Sequence, residues 1–278
     1  MSDSIYALLQ AATQSLSQSP TPRLDAQVLL CHAIAQPKTY LITHPEAELS
    51  QEQRKTFETL IKYRQQGEPI AYILGHKEFW SLDFAVNPDV LIPRPETELL
   101  VELALERLPE KSATVADLGT GSGCIAISLA IERPNWQLHA TDQSAAALKI
   151  AQHNIAQHGI KNIRLHQGEW CQALPAGIKF DAIISNPPYI DASEPELQEG
   201  DVRFEPQSAL VSHNQGIADI EAIIKTAKAH LKPQGLLMIE HGYQQGPAAK
   251  LLFDYYGYHA LEQHRDLAGN MRVSLAKA

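Results

Sequence analysis

The chain has little cysteine, with three residues in 278. Cys31, Cys124 and Cys171 lie far apart and form no Cys-x-x-Cys pair, so neither a disulfide framework nor a thiolate zinc site is indicated. The twelve histidines are scattered without ligand spacing, and we expect no bound metal. Widely spaced thiols suit a reducing compartment, which favours a cytoplasmic protein.

Long apolar runs and a basic leader are also missing. No stretch approaches the roughly 18 uninterrupted apolar residues that a spanning helix requires. Residues 1–10 have no basic region ahead of an apolar run. We therefore expect neither a signal peptide nor a membrane segment, and with 44% hydrophobic residues the chain can bury one large core, or a large and a small one.

Positive charge is scarce as well. The formal net charge is -9, the sequence pI is about 5.7, and there is no dense run of Lys and Arg. Proteins that grip a nucleic-acid backbone usually show a basic stripe. This composition disfavours a nucleic-acid substrate, and we expect a monomer that acts on another kind of partner.

What the chain does have, over residues 1–75, is the pattern of a small helical domain. A first helix places four apolar residues roughly on one face: Ile5, Leu8, Leu9 and Leu16. A second helix opens at Pro22 and carries Leu24, Val28 and Cys31. Ser50 and Gln53 form a capping-box pattern before a third helix, which stops at Gly67.

From Trp80 the apolar pattern changes to period two and continues through Leu82, Phe84 and Val86. A turn at residues 87–89 and an apolar run at residues 90–92 follow. This pattern predicts a β-hairpin linker over residues 76–93. The hairpin would join the helical domain to a catalytic domain over residues 94–278, whose first helix runs from about residue 96 to 108.

Short apolar strands then alternate with helical stretches. The predicted strands are Thr114–Leu118, Gln137–Thr141, Ile163–His166, Phe180–Ser185 and Leu236–Glu240. Such alternation is typical of an α/β fold with a doubly wound, mainly parallel sheet of the Rossmann-like kind, whose ligands lie beyond the carboxyl ends of the strands.

The first of these strands ends in Asp117-Leu118 and runs directly into a glycine turn composed of Gly119, Thr120, Gly121, Ser122 and Gly123. Glycines at alternate positions let the backbone approach a ligand closely. A dinucleotide fingerprint would require glycine at position 124, which is Cys124, a packed residue in our interpretation. The turn instead resembles the first motif of class I methyltransferases, which implies S-adenosylmethionine as cofactor, with Asp117 near its amino-acid end.

Two further side chains follow the next strands. Asp142 lies 23 residues after Gly119, where a carboxylate can accept hydrogen bonds from both hydroxyls of a ribose. Trp170 follows the third strand, where an adenine could stack on it for roughly 1–3 kcal/mol. Packing of Trp170 in the core is the alternative.

The fourth strand ends in Asn186, Pro187, Pro188 and Tyr189. The two prolines cannot continue a strand ladder, so the turn is rigid and its carbonyls are free. Asn186 and the Pro187 carbonyl can hold an amide NH2 by both hydrogens while Tyr189 covers its flat face. An amide nitrogen is a weak nucleophile because its lone pair is delocalised. Alignment of this lone pair with the methyl group therefore matters more than a base, and holding the reactants in an attack geometry can lower the activation barrier by on the order of 7–11 kcal/mol. This motif resembles that of enzymes that methylate adenine amines and glutamine amides.

The whole chain resembles the release factor glutamine methyltransferase (PrmC/HemK) family. The segments that carry this resemblance are Gly67–Ile73, Ile92–Glu98, Gly119–Gly123, Asn186–Tyr189 and Phe204–Pro206 with Ala209-Leu210. The resemblance implies N5-methylation of the glutamine in the Gly-Gly-Gln loop of class 1 peptide chain release factors, and an N-terminal domain that recognises the substrate. It also implies that Gly119–Gly123, Asp142, Trp170 and Asn186 bind the cofactor, and that Asn186–Tyr189 bind the glutamine.

Three other functions are weighed against this one. A ribosomal protein L3 glutamine methyltransferase has a different segment where this chain has residues 93–98. A DNA adenine N6-methyltransferase would flip a base into the same pocket, but would need a basic face and a recognition insertion. A noncatalytic nucleotide-binding or chaperone-like module that holds release factors has no need for the Asn-Pro-Pro-Tyr motif.

Some residues near these motifs have open roles. The acidic loop over residues 190–216 directly follows the reacting motif, and we interpret it as a lid or partner surface. Arg94 either pairs with a carboxylate of cofactor or protein, or shapes the linker. The same two roles are open for Glu205.

Overall fold

A computed structural model describes residues 4–278. The chain divides into two compact units. The first extends to Gly75 and also contains Glu199–Phe204, while the second comprises His76–Gln198 and Glu205–Ala278. The second unit is therefore interrupted by a short segment that folds as part of the first.

The described part of the first unit is helical. Its helices are α1 (Ile5–Ser15), α2 (Pro22–Ile34), α3 (Lys38–Thr43), α4 (Gln51–Gln65) and α5 (Ile70–Leu74). The predicted capping box before α4 is confirmed, because Ser50 and Gln53 each bond the other's backbone N–H through a side chain. α4 buries Phe57, Leu60 and Ile61 in a core shared with α1 and α2.

α2 buries a different face from the apolar residues picked out in the sequence. Leu24 is 47% exposed, whereas Ala26, Leu29 and Leu30 are fully buried. Asp25 points inward too, because its Oδ2 accepts from Nε of buried Arg64 at 2.6 Å. A charged residue on the core face weakens the amphipathic pattern on which the sequence interpretation depended.

Arg64 also ties the inserted segment to the first unit. Its Nη1 donates to Asp201 Oδ1 at 2.8 Å and to the carbonyl of Glu68 at 3.0 Å. From the inserted segment, Arg203 donates to the carbonyl of Gln66 at 3.2 Å. Ion pairing and backbone contacts thus explain why residues 199–204 fold with α4.

The second unit opens with a hairpin whose strands are β1 (His76–Phe79) and β2 (Leu82–Ala85). A hairpin lies within residues 76–93, but the apolar run at residues 90–92 is not one of its strands. Trp80 and Ser81 form the turn with φ of 52° and 57°, a conformation that sequence rules assign to Gly or Asn. The turn at residues 87–89 is present, but the Ile92 N–H donates to the Glu205 carboxylate at 3.0 Å instead of a strand ladder.

A seven-stranded sheet forms the centre of the second unit, with strand order β5-β4-β3-β6-β7-β9-β8. Its strands are β3 (Thr114–Leu118), β4 (Gln137–Asp142), β5 (Ile163–Gln167), β6 (Phe180–Ser185), β7 (Leu231–Glu240), β8 (His259–Arg265) and β9 (Met271–Lys277). β3 to β7 are parallel, and β9 joins them antiparallel. The predicted α/β class with a doubly wound, mainly parallel sheet is confirmed; β8 and β9 were not predicted.

Helices cover both faces of this sheet. They are α6 (Glu98–Arg107), α7 (Cys124–Glu132), α8 (Ala145–Gln157), α9 (Gln207–Leu210), α10 (His213–Gly216), α11 (Ala218–Ala227) and α12 (Gly246–Tyr255). The second unit also has 3-10 turns at Pro95–Thr97, Trp170–Ala173 and Pro195–Gln198, whereas the 3-10 turn Val202–Phe204 lies in the inserted segment of the first unit. One apolar core packs against α6 and α7, and the other against α11 and α12. Between residues 4 and 278, no helix has the length and apolar character needed to cross a membrane.

Candidate cofactor and acceptor site

The site begins where two paired strands end. β3 and β6 are parallel, with Leu118 opposite Ser185, and the Ser185 hydroxyl donates to the Leu118 carbonyl at 2.8 Å. The next residues, Gly119 and Asn186, therefore start side by side at the carboxyl edge of the sheet. The sheet register brings the predicted glycine turn and the predicted acceptor motif together.

The glycine turn requires glycine at two positions for different reasons. Gly119 has φ +71°, and a Cβ there would lie 3.0 Å from the Trp170 ring. Gly121 has φ +55°, and a Cβ there would meet nothing within 4 Å, because it would project into open space. The turn thus gives a ligand access to backbone on one side and is covered by an aromatic ring on the other.

Asp142, at the end of β4, is fixed by the same turn. One carboxylate oxygen accepts from the Gly121 N–H and the other from the Ser144 N–H, both at 2.9 Å. Burial raises the pKa of Asp142, while these two hydrogen bonds oppose the rise. Each oxygen retains acceptor capacity toward the cavity that Asp142 lines.

Trp170 lies both at the cavity and against the core. Its ring lines the cavity beside Gly119, and it also packs against the core beneath α11. It begins a 3-10 turn with φ 41°, an uncommon backbone conformation for a bulky residue. The side chain is therefore held in place by packing, with one part of the ring available to a flat ligand.

The side chains of Asp117, Thr120 and Ser122 are buried, and neither these residues nor Gly123 line the cavity. The Thr120 hydroxyl donates to Asp117 Oδ2 at 2.6 Å. Within residues 4–278 no donor reaches Oδ1 in hydrogen-bond geometry, although that atom is buried. Burial raises the pKa of Asp117 to about 6, against the opposing effects of Thr120 and the Ala126 amide.

The cavity, including the part that is open to solvent, has a volume of about 650 Å³, which is in the range of small-molecule sites. Predicted residues that line it are Gly119, Gly121, Asp142, Trp170, Asn186 and Pro188. Lining residues that the sequence analysis missed include Asp89, Leu91, Gln143, Ser144, Glu169 and Ser208. Gln143 and Ser144 directly follow a predicted site residue at a strand end, which is the signal that could have identified them.

The acceptor motif is only partly open to the cavity. Asn186 and Pro188 line it, whereas Pro187 is buried and Tyr189 does not reach the lining. The Tyr189 carbonyl accepts from Gln245 Nε2 at 2.9 Å. Burial raises the pKa of the Tyr189 hydroxyl above its usual range, so Tyr189 stays protonated.

A partly buried ion pair connects residues 92–94 with the loop that follows the motif. The Glu205 side chain is fully buried; it pairs with Arg94 and accepts from the Ile92 N–H. In the chain Leu91 directly precedes Ile92 and Pro206 directly follows Glu205, and both line the cavity. Arg94 and Glu205, left with open roles by the sequence, therefore brace one cavity wall.

Two buried residues stand beside Asn186. Asn186 Nδ2 donates to the Thr97 hydroxyl at 3.0 Å. Glu240, the last residue of β7, is 1% exposed, and hydrogen bonds from Thr97 and Asn186 lower its pKa against the effect of burial. The strand-end position of Glu240 was visible in the sequence, but nothing there indicated its partners.

The chemistry of the lining fits a nucleoside with a positively charged end. An aromatic ring and exposed backbone suit a base, fixed carboxylate oxygens suit ribose hydroxyls, and buried Asp117 adds negative charge behind the turn. Burial of the Cys124 thiol raises its pKa to about 12, which agrees with a packed residue and not a nucleophile. Residues 4–278 contain no group of three or more His, Cys, Asp or Glu side chains that could hold a metal ion.

Comparison with known proteins agrees with this geometry. Residues 7–75 match the PrmC N-terminal domain family, and residues 96–200 match the methyltransferase small domain family. The chain is 45% identical to the release factor glutamine methyltransferase of Aliivibrio fischeri, covering 100% of this chain and 98% of that protein. It is 47% identical to the protein of the same name from Coxiella burnetii, over 97% of this chain and 98% of the other. The solved structure of a methyltransferase from Pyrococcus furiosus shares the fold, with 20% identity, a TM-score of 0.54, and coverage of 79% of this chain and 96% of that one.

Proposed function

Because the chain belongs to the release factor glutamine methyltransferase family, we propose that it transfers a methyl group from S-adenosylmethionine to the side-chain amide nitrogen, N5, of a glutamine. We further propose that this glutamine is the one in the Gly-Gly-Gln loop of class 1 peptide chain release factors. The observation that carries the proposal is that one cavity is lined both by the glycine turn with Asp142 and by Asn186 with Pro188.

On the cofactor side, each predicted residue has a distinct task. Asp142 accepts hydrogen bonds from the ribose hydroxyls, Trp170 stacks on the adenine, and Asp117 adds negative charge near the amino-acid end. Gly119–Gly123 pass beside the methionine and ribose. When bound, S-adenosylmethionine supplies an electrophilic methyl group on a sulfonium, and transfer leaves a neutral thioether.

On the acceptor side, the chain orients a weak nucleophile. Asn186 Oδ1 and the Pro187 carbonyl accept the two hydrogens of the glutamine NH2, and Pro188 keeps the backbone rigid. We assign the flat face of the amide to Tyr189, although its ring does not line the cavity in the free protein. Two in-plane acceptors favour a nitrogen whose lone pair points away from them. The proton of the product is released to water, so we expect neither a strong base nor a metal.

The helical unit and the acidic loop are proposed to select the protein partner. The helical unit formed by residues up to 75 recognises the release factor, and the acidic loop over residues 190–216 covers the glutamine or contacts the same partner. The support is that residues 199–204 of this loop fold with the helical unit. We expect the enzyme to act as a monomer in the cytoplasm, without a nucleic-acid substrate.

A direct test offers three acceptors to the protein together with labelled S-adenosylmethionine. The acceptors are a class 1 release factor, ribosomal protein L3 and adenine-containing DNA. Mass spectrometry of the digests locates the methyl group, and the expected site is the glutamine of the Gly-Gly-Gln peptide only.

The matched control is a release factor with Glu in place of that glutamine. Its carboxylate lacks the NH2 donors, which leaves the acceptors of the site unpaired, so we expect no label. Label on L3 or adenine alone, or on the Glu variant, contradicts the proposal.

A further inference from the structure

Asn186 has to be held in one of two amide orientations for the proposed reaction. An Asn side chain offers an acceptor oxygen on one side and a donor NH2 on the other. Only the oxygen can accept a hydrogen from an incoming NH2 group. If the Asn186 amide were flipped, its NH2 group would face the NH2 group of the glutamine, and two donors cannot form a hydrogen bond. The glutamine would then lose one of its two hydrogen bonds.

The surroundings of Asn186 select between these orientations. Its Nδ2 donates to the Thr97 hydroxyl oxygen at 3.0 Å. The Glu240 carboxyl lies beside both side chains, and the Thr97 hydroxyl and the Asn186 amide both favour its ionised form by lowering its pKa. Thr97 is 3% exposed and Glu240 is 1% exposed, so water cannot substitute for either partner. With its NH2 group turned toward these acceptors, Asn186 is left with Oδ1 to present to the cavity that it lines.

We propose that Glu240 is a positioning residue that acts through Thr97 to lock the Asn186 amide with Oδ1 facing the methyl acceptor. The inference rests on the proposed function for its catalytic consequence. The hydrogen-bond relay is a property of the free protein. It runs from the end of β7, through the start of α6, to the end of β6.

A purely structural role does not explain a carboxylate at this position. Burying an ionised carboxyl costs several kcal/mol, and an apolar residue of similar size in such a place is commonly neutral or stabilising. Within the described residues, Glu240 Oε2 is buried and has no hydrogen-bond partner. Burial of this oxygen is therefore not compensated by a hydrogen bond that would stabilise the fold. What an apolar residue could not supply is an acceptor for Thr97 and Asn186.

The lock depends on the ionisation of Glu240, since a protonated carboxyl can donate to the Thr97 oxygen that Asn186 needs. Burial is the largest influence and raises the pKa of Glu240 to about 7. The charged and titratable groups that face it are Arg272 from β9, which lowers that pKa, and Glu96 from the turn before α6, which raises it. Tyr189 and Cys124 also lie within its electrostatic reach, and both stay protonated near neutral pH.

The test uses three variants of the full chain. Thr97→Val removes the hydroxyl with little change in volume, and Thr97→Ser retains it. Glu240→Gln removes the charge and adds a competing donor. For each variant, kcat and KM for the release factor are measured at saturating S-adenosylmethionine, with cofactor Kd and the melting temperature alongside.

Misaligned acceptor groups cost on the order of 100-fold in rate, so we expect kcat to fall about 10- to 100-fold in Thr97→Val and Glu240→Gln. Thr97→Ser should stay within about threefold of the parent protein, and cofactor Kd within about twofold throughout. The parent kcat should rise as pH increases through about 7, and this limb should be absent in Glu240→Gln. Unchanged kcat in both deficient variants overturns the proposal, as does loss confined to cofactor affinity or thermal stability.

A second readout does not depend on turnover. In ¹⁵N-labelled free protein, the Asn186 side-chain amide protons should exchange slowly and shift with the ionisation of Glu240, and Glu240→Gln should abolish both effects. If the parent protein methylates none of the acceptors, the proposed function fails, yet this spectrum still decides the lock. Fast exchange and no pH-linked shift in the parent protein refute it.

Discussion

At the scale of single residues, Asp142 shows how one side chain is prepared for a ligand before the ligand arrives. Its two oxygens are fixed by the Gly121 and Ser144 amides, and burial raises its pKa. A preorganised carboxylate makes charge-assisted hydrogen bonds, which contribute about twice as much as neutral ones. The sequence spacing predicted this residue, but it did not reveal the two amides.

We predict that Asp142→Asn weakens S-adenosylmethionine binding by about 10- to 100-fold, since hydrogen bonds to a charged group are worth about 1.5–3 kcal/mol. The new amide NH2 would also face either the Gly121 or the Ser144 backbone N–H, so that one hydrogen bond to Asp142 would be replaced by two donors facing each other. Isothermal titration calorimetry measures the change. Glu110→Gln is the control, because Glu110 is an exposed carboxylate that does not line the cavity. An equal loss in both variants would contradict a specific role for Asp142.

Cofactor affinity should also depend on pH through Asp117. Its folded pKa is about 6 in the free protein. The positive amino-acid end of the cofactor favours the ionised carboxyl and so lowers that pKa on binding. Affinity should therefore be greatest above about pH 6 and should fall as pH decreases through it, with uptake of a proton on release.

Titrations at pH 5 to 8 in buffers of different ionisation enthalpy measure this proton linkage. Asp142 ionises in the same direction, so the decisive comparison is with Asp117→Asn. That variant should lose most of the linkage near pH 6. Linkage that persists unchanged in Asp117→Asn would show that another group is responsible.

Asn186→Ala separates the two halves of the site. The clamp acts on the acceptor, so transfer to the release factor should be nearly abolished, while cofactor affinity stays largely intact. Single-turnover assays and calorimetry give the two quantities. Loss of cofactor binding in proportion to loss of transfer would mean that Asn186 serves mainly the cofactor.

At the scale of secondary-structure elements, the parallel strands were predictable and their surroundings were not. β3 and β6 were predicted to the residue, because buried parallel strands are short and continuously apolar. β8 was not predicted because it lies at the edge of the sheet, where partly exposed positions carry polar residues. β9, which pairs antiparallel with β7 and β8, was not predicted either. The hairpin turn at Trp80 and Ser81 escaped because neither residue signals a positive φ.

The contribution of the Arg94–Glu205 ion pair to the cavity wall around residues 91 and 206 can be tested directly. Glu205→Gln keeps the size of the side chain but leaves Arg94 unpaired, and Arg94 is about one-third exposed. We therefore expect a moderate loss of stability, about 1–3 kcal/mol, below the 3–5 kcal/mol for a fully buried pair. We also expect KM for the release factor to rise more than cofactor Kd.

Urea unfolding and steady-state kinetics measure these two effects. Glu199→Gln is the control, because Glu199 belongs to the same acidic loop and is exposed. We expect that variant to change neither quantity by more than about 0.5 kcal/mol. If Glu205→Gln behaves in the same way, the ion pair does not support the wall.

At the scale of the whole molecule, function was easier to anticipate than tertiary structure. Motifs spread from Gly67 to Leu210 predicted the family, and relatives 44–47% identical over nearly the full chain confirm it. The composition and the strand pattern gave the fold class. Folding of residues 199–204 with the helical unit could not be anticipated, because it depends on pairs such as Arg64 and Asp201, which are 137 residues apart.

The same limit explains what was missed in the site. Asn186 can be identified in the sequence by the Pro-Pro-Tyr that follows it. Thr97 and Glu240 can be identified only in the structure, where the fold brings them next to Asn186. Local motifs identify the groups that touch ligands. The residues that orient those groups come from elsewhere in the chain and need the fold to be seen.

The central claim is that the end of β6 holds a planar NH2 group against a sulfonium methyl seated at the glycine turn. A crystal structure of the protein with S-adenosylhomocysteine and a Gly-Gly-Gln peptide tests it most directly. We expect the glutamine nitrogen within hydrogen-bond distance of Asn186 Oδ1 and the Pro187 carbonyl, and facing the sulfur. A glutamine bound elsewhere, or a sulfur lodged on the far side of the cavity from Asn186, would contradict the account.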